Sequence, residues 1–421
     1  MNLEDRKRIF QNITSLSVLT VFNYTLPLLL IPYLINVLSA ELYGHVILAR
    51  TLMVYFTLLV DYGFILSATR DVAININNRE KLLQIFSSVM TIKLVLFFVS
   101  AIIFLLLMSF VGKFNAYKEI YYISFIAVLG QALFPVWYFQ GIEDMKQITI
   151  INISCKTFFT ILTFIFVQHE RNYLYVPLFY SLGFLSSGIW ALYISKINYN
   201  MTIVGQPFIR IQRTFIEASP FFLSRLSSVG YNNTNIFFVG IILLPQFVTY
   251  YFLADKVITA ILSIFHPIQQ SIYPYLSRKF SNKIFISSTI TIVGTSLITF
   301  IFLKIFDEQI SYFLLNAHVY SFINVLNILV YLIPISVIYV MLGAPLLLAK
   351  GFVKEFNNSI IYGFIGHLVL LCLVYFYIHK GKATTEDSVL ELFAYILILS
   401  KSVVLFFRLF YVYKNKILKD L

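Results

Sequence analysis

The sequence predicts an all-α, polytopic membrane protein of about twelve transmembrane helices, and three observations carry that prediction. Of its 421 residues, 59% are hydrophobic and only 12% are charged, whereas a soluble domain carries about 25% charged residues. The mean hydropathy is +0.84. The apolar residues fall in long runs, and most of the charges lie between them. A surface this apolar is stable where lipid replaces water, because lipid-facing side chains need no polar exterior.

A window of roughly 19 residues places the runs at 13–38, 45–67, 85–112, 120–142, 148–167 and 173–195 in the first half. The second half has 215–243, 247–273, 284–306, 322–349, 359–379 and 389–412. Each approaches or exceeds the roughly 20 residues that cross a bilayer, and the longer ones require tilt or kinks. Pro27, Pro32, Pro135, Pro177, Pro334 and Pro345 are the candidate kink sites. The polar start, Met1 to Arg8, precedes an apolar run too long for a signal-peptide core and without a small-residue cleavage site, so the first helix is expected to be retained.

A net charge of +12 could suit nucleic acid, but the location of the charges argues otherwise. With the N-terminus inside, the cytoplasmic connections hold eighteen Lys and Arg and the opposite ones hold five. That asymmetry predicts cytoplasmic termini. All connections are short. The longest, Lys196–Thr214, divides the chain into residues 1–200 and 201–421, each with six spans. Residues Leu34–Arg50 and Val239–Asp255 align without gaps at an offset of 205, matching Leu38 to Leu243 and Ala49 to Ala254. Two parallel six-helix repeats would produce this.

Within a span an ionisable group costs at least about 2.5–3.5 kcal/mol on insertion scales, so each needs a partner, a wet cavity or reach to the interface. Arg50 and Asp61 lie eleven residues apart in the second span, on nearly one helical face. Arg225 lies in the seventh span, and Asp255 and Lys256 in the eighth. On the functional reading, Arg50, Arg225 and Lys256 line a cavity for an anionic substrate, while Asp61 and Asp255 orient the cations or couple transport to an ion. Guanidinium suits diphosphate through paired hydrogen bonds. On the packing reading, Arg50 and Asp255 form a buried ion pair between the halves, or Arg50 and Asp61 snorkel to opposite interfaces. Lys93, Lys156, Lys304, Lys401 and Arg408 are assigned to snorkelling or packing. Asn232, Asn233 and Asn235 crowd the middle of the seventh span, where amides serve either as glue between helices or as cavity lining for sugar hydroxyls. His266 and His367 read as satisfied core groups, and Cys155 and Cys372 as small buried hydrophobes. There is no Walker-type phosphate loop, no His/Cys cluster at metal spacing and no Gly-x-Ser-x-Gly elbow, so neither a cofactor, a metal nor an enzymatic reaction is expected.

Several stretches resemble a known family. The run from Leu58 through Asp61-Tyr62-Gly63-Phe64 to Arg70-Asp71-Val72-Ala73 resembles the second span and following loop of bacterial O-antigen flippases, the Wzx-type polysaccharide exporters. Ile85 to Val89, Leu133 to Glu143 and Met145-Lys146 are similar to that family's third and fourth spans, and Ala254 to Val257 and Pro267 to Pro274 to its eighth. The resemblance implies the multidrug/oligosaccharidyl-lipid/polysaccharide exporter fold, two pseudo-symmetric six-helix bundles around a central cavity. It also implies an undecaprenyl diphosphate-linked oligosaccharide as substrate, moved from the cytoplasmic to the periplasmic leaflet of the inner membrane by alternating access. A polysaccharide polymerase and a chain-length regulator would be its protein partners. Cations on the second, seventh or eighth spans are characteristic of the family's cavity, which supports Arg50, Arg225 and Lys256. Asn23 stands where a related peptidoglycan-precursor flippase would have a basic residue. The rival readings are a drug exporter of the same fold, a membrane-embedded polymerase or acyltransferase, and a scaffold.

Overall fold

The computed structural model describes residues 3–278, 280–380 and 385–417. Helices account for the regular structure, and the described residues contain no strand. The first half holds α1 (Leu3–Asp61), α2 (Phe64–Ile74), α3 (Arg79–Phe110), α4 (Lys118–Leu133), α5 (Val136–Gly141), α6 (Met145–Phe166), α7 (Tyr175–Tyr199) and α8 (Phe208–Ile242). The second holds α9 (Pro245–Arg278), α10 (Asn282–Ile305), α11 (Asp307–Leu315), α12 (Tyr320–Leu329), α13 (Leu332–Met341), α14 (Val353–His379) and α15 (Glu386–Lys414). Among the described residues, 10 helical stretches are long and apolar enough to cross a membrane. The arm of α1 before Ser39 and the whole of α8 are the other two rods of the twelve expected.

Helix breaks fall where backbone chemistry allows them. Ser39 is non-helical, at φ 72 and ψ 159, so α1 is two rods joined at this residue rather than at Pro27 or Pro32. Its match under the repeat offset, Leu244, lies in the gap between α8 and α9. The two aligned segments therefore interrupt their helices at the same place. Pro135 separates α4 from α5. Pro345 sits in a π-helical stretch, Leu342–Leu348, a geometry that tolerates its missing N–H. At the end of α1, Tyr62 (φ 39) and Gly63 (φ 81) both adopt the left-handed region, and a Cβ on Gly63 would stand 2.6 Å from the Phe222 amide nitrogen.

By contacts the chain forms two compact units, Met1–Phe237 and Phe238–Leu421. In the first unit α4 packs along α7, α1 packs against α4 and α6, and α2 against α5. Most of α8 belongs to this unit, because Tyr62 stacks between Phe215 and Phe222 with ring centroids 4.2 and 4.7 Å away. In the second unit α14 packs along α15, α9 against α12, and α10 against α13. Lipid is as apolar as leucine, so helices in a bilayer associate through close packing of small residues and not through burial of apolar area. α7 illustrates this, since Ser181, Ser187, Gly188, Ala191 and Ser195 are all buried on the side that meets its neighbours. Gly188 faces Gly130 of α4 so closely that a Cβ on either residue would collide with the other helix's backbone. Cys155 is buried as expected, whereas Cys372 is exposed on α14, because a thiol is apolar enough to face lipid.

The closeness of α4 and α7 sets the position of every α7 side chain. Gly188→Val is therefore expected to lower the stability of the detergent-solubilised protein by about 1–3 kcal/mol, read as a fall in its unfolding temperature. An unchanged unfolding temperature would contradict this packing.

Candidate functional site

Four helices of the first unit converge on one cavity of about 260 Å³. From α1 it receives Arg50, Met53, Val54, Thr57, Leu58 and Asp61, which recur in the i, i+3, i+4, i+7, i+8, i+11 pattern of one helical face. From α4 come Ala127 and Gln131, from α7 Tyr180 and Phe184, and from α8 Arg225 and Val229. Each of these pairs lies one helical turn apart. Arg50, Asp61 and Arg225 thus line the same space.

Asp61 is engaged from outside the cavity. Lys93 of α3 approaches it with Nζ 3.0 Å from Oδ1, and the two side chains are 2% and 16% exposed. The same ammonium donates to the carbonyls of Gln131 at 3.0 Å and Phe134 at 3.3 Å. Of the two readings given for Lys93, snorkelling or packing, this geometry is packing. The ion-pair partner of Asp61 among the described residues is Lys93. A lysine has three donors, and here the carboxylate and two carbonyls take all three, which makes its burial tolerable.

With Asp61 neutralised, positive charge dominates the cavity. The Arg50 guanidinium lies over the Tyr180 ring, 4.1 Å from its centroid, a cation–π contact that holds the side chain without cancelling its charge. Neither the Arg50 Nε nor the Arg225 Nε, both buried, has a hydrogen-bond acceptor among the described residues. Buried donors left this way cost about 1–3 kcal/mol each, and an anion entering the cavity would recover that energy.

The remaining candidates lie elsewhere. Asn233 donates to the Val229 carbonyl one turn back on α8, at 3.0 Å, which satisfies the amide within its own helix. Asn235 is buried, 1% exposed. Neither lines the described cavity. The neighbouring Thr234 accepts a hydrogen bond from Tyr55 of α1 at 3.4 Å, so this stretch helps tie α8 to α1. The side chains of Asn232 and His266 lie outside the described residues.

In the second unit Asp255 is buried on α9, within electrostatic reach of Lys256 and Lys401. Lys256 lies over the Phe252 ring of its own helix, 5.0 Å from the centroid. Lys401 donates to the Tyr339 hydroxyl at 3.5 Å. Arg408, 3% exposed, donates to the Tyr339 carbonyl and, at 3.1 Å, to Ser359 Oγ, so its role is packing and not snorkelling. His367 shares a 3.0 Å hydrogen bond with Ser400, as expected of a satisfied core histidine. No group of three or more His, Cys, Asp or Glu that could hold a metal occurs among the described residues.

A family model described as polysaccharide biosynthesis protein matches residues 9–280, which include every residue of this cavity. The chain belongs to that family. It is 26% identical over 385 residues to a protein of Escherichia coli strain K12 named "Putative O-antigen transporter", covering 89% of this chain and 92% of that one. It is 29% identical over 268 residues to a Shigella dysenteriae protein of the same name, covering 64% and 67%. Among solved structures, it is similar to an inward-facing multidrug resistance MATE family transporter of the MOP superfamily, with a TM-score of 0.63, 14% identity, and coverage of 93% of this chain and 99% of that one. An outward-facing transporter of the same description gives 0.58 at 13% identity, covering 96% of each chain. These likenesses show a MATE-like fold in a multi-pass membrane protein.

The Lys93–Asp61 pair yields a double-mutant prediction. Removing one partner leaves a buried charge unpaired, so Lys93→Met or Asp61→Asn alone should destabilise the protein by about 3–5 kcal/mol. The double variant should recover a large part of that loss in thermal unfolding. Fully additive losses would contradict the pairing.

Proposed function

We propose that this protein is a flippase that moves undecaprenyl diphosphate-linked oligosaccharide repeat units from the cytoplasmic to the periplasmic leaflet of the bacterial inner membrane, for assembly of a surface polysaccharide. The observation that carries the reading is the pair Arg50 and Arg225 on one cavity whose only carboxylate among the described residues, Asp61, is already paired with Lys93. A basic cavity in a bilayer-embedded unit calls for an anion that can be presented there, and a diphosphate on a prenyl tail is such a group. Its oxygens accept the paired N–H donors of guanidinium. The cavity volume, about 260 Å³, is below the roughly 300–1,000 Å³ of a drug-sized pocket. It suits the diphosphate head, with the sugars and the tail lying outside it. The family and the names of the relatives agree with this cargo.

On this reading Arg50 and Arg225 bind the diphosphate, and alternating access of two halves, 1–200 and 201–421, carries it across. Asp255, Lys256 and Lys401 of the second unit are the groups through which an ion gradient would act. Both termini lie in the cytoplasm, in keeping with the Lys and Arg of the connecting loops. A drug exporter of the same fold is the second reading, but a cavity with surplus positive charge repels the cationic compounds such exporters commonly carry.

Arg50→Ala and Arg225→Ala are each expected to lower surface polysaccharide about 10- to 100-fold when they replace the wild-type gene, the equivalent of one lost charge-assisted contact. Membrane abundance should stay unchanged, and Arg50→Lys should retain part of the activity. Wild-type polysaccharide from both alanine variants would overturn the cationic-cavity reading.

A further inference from the structure

Lys156 sits in the middle of α6, and the helix shows which way it points. The exposed face of α6 carries Ile150, Phe158, Ile161 and Ile165. Lys156 lies on the opposite stripe, in register with the buried Asn152 and Thr163 at three- and four-residue steps. An ammonium this far from either helix end cannot snorkel, so the protein must hold it.

Two groups meet it. Its Nζ donates to Asn23 Oδ1 of α1 at 3.1 Å and lies over the Phe184 ring of α7, 5.1 Å from the centroid. Phe184 also lines the arginine cavity. One turn before it on α7 stands Tyr180, the ring beneath Arg50, and the two rings touch edge to face with centroids 4.9 Å apart. Two cations from different helices therefore rest on consecutive aromatic rungs of α7. Neither has a carboxylate partner among the described residues. Asn23 is a neutral acceptor that engages one of the three ammonium donors and leaves the charge intact, which aspartate at this position would not do.

We propose that Lys156, which stands behind the Phe184 wall of this cavity, is a further phosphate-binding cation beside Arg50 and Arg225, so that a prenyl diphosphate reaches across the Tyr180–Phe184 ladder to Lys156 and a monophosphate does not. The inference rests on the flippase reading. Arg50 and Arg225 grip one phosphate in the cavity, and the other phosphate, displaced along the chain by one anhydride bond, reaches the next rung. Lys156 then serves as a specificity determinant that counts phosphates. Asn23 holds the ammonium in place and releases it for the loss of one neutral hydrogen bond.

The test uses the full chain in detergent, with farnesyl diphosphate and farnesyl monophosphate as probes in a calorimetric titration. Wild type is expected to prefer the diphosphate by about tenfold or more. Lys156→Gln should bring the two affinities together by weakening the diphosphate while leaving the monophosphate unchanged. The double variant Lys156→Gln/Asn23→Lys, which supplies the charge from α1 at the same place, should restore the preference. Asn23→Asp should erase it with Lys156 still present, which keeps the test available if Lys156→Gln does not fold. A preference that survives both Lys156→Gln and Asn23→Asp would overturn the proposal while leaving the flippase reading intact. Binding of neither probe by wild type would overturn the flippase reading itself, and this proposal with it.

Discussion

Lys93 and Asp61 meet inside the bilayer, where a lone charge would be driven out or neutralised, and their pairing determines what the rest of the first unit can do. The pair joins α3 to the end of α1, and the two carbonyls that complete the ammonium's hydrogen bonds tie both to the end of α4. Because Asp61 is occupied, it does not neutralise Arg50, which shares its face of α1, or Arg225, which arrives from α8. A lysine outside the cavity thereby keeps the cavity basic. The arrangement amounts to a buried charge pair that specifies a site more than it adds stability, since replacing both partners with apolar groups is often neutral.

The same constraint separates the functional readings. A cavity for organic cations would present Asp61 unpaired and would have little use for two guanidinium groups beside it. What the geometry offers is a fixed array of positive charge and ring faces at one cavity. The close approach of Gly130 and Gly188 belongs to this account, because it sets how near the α7 rings come to α1.

Much of this was legible in the sequence. Hydropathy gave the spans, and the eleven-residue interval between Arg50 and Asp61 placed both on one face. The offset that aligned Leu38 with Leu243 also aligned the two helix breaks, at Ser39 and Leu244. The partnerships could not be read, because periodicity orients a side chain relative to its own helix and is silent about its neighbours. Lys93 resembled any snorkelling lysine until α1 and α4 were packed against α3. Lys156 was more accessible, since the apolar face at Ile150, Phe158, Ile161 and Ile165 already turns it inward. The amides of α8 stood open between glue and lining, and the described bonds of the run are of the first kind: Asn233 donates to the Val229 carbonyl one turn away, and Thr234 accepts from Tyr55 of α1.

The most direct test of the central claim is the sidedness of the lipid-linked oligosaccharide in cells that lack the gene. The flippase account predicts that repeat units accumulate unpolymerised on the cytoplasmic leaflet, inaccessible to a membrane-impermeant probe from the periplasm, and that re-expression restores their exposure. Repeat units that reach the periplasmic leaflet without this protein, and fail only to polymerise, would contradict it.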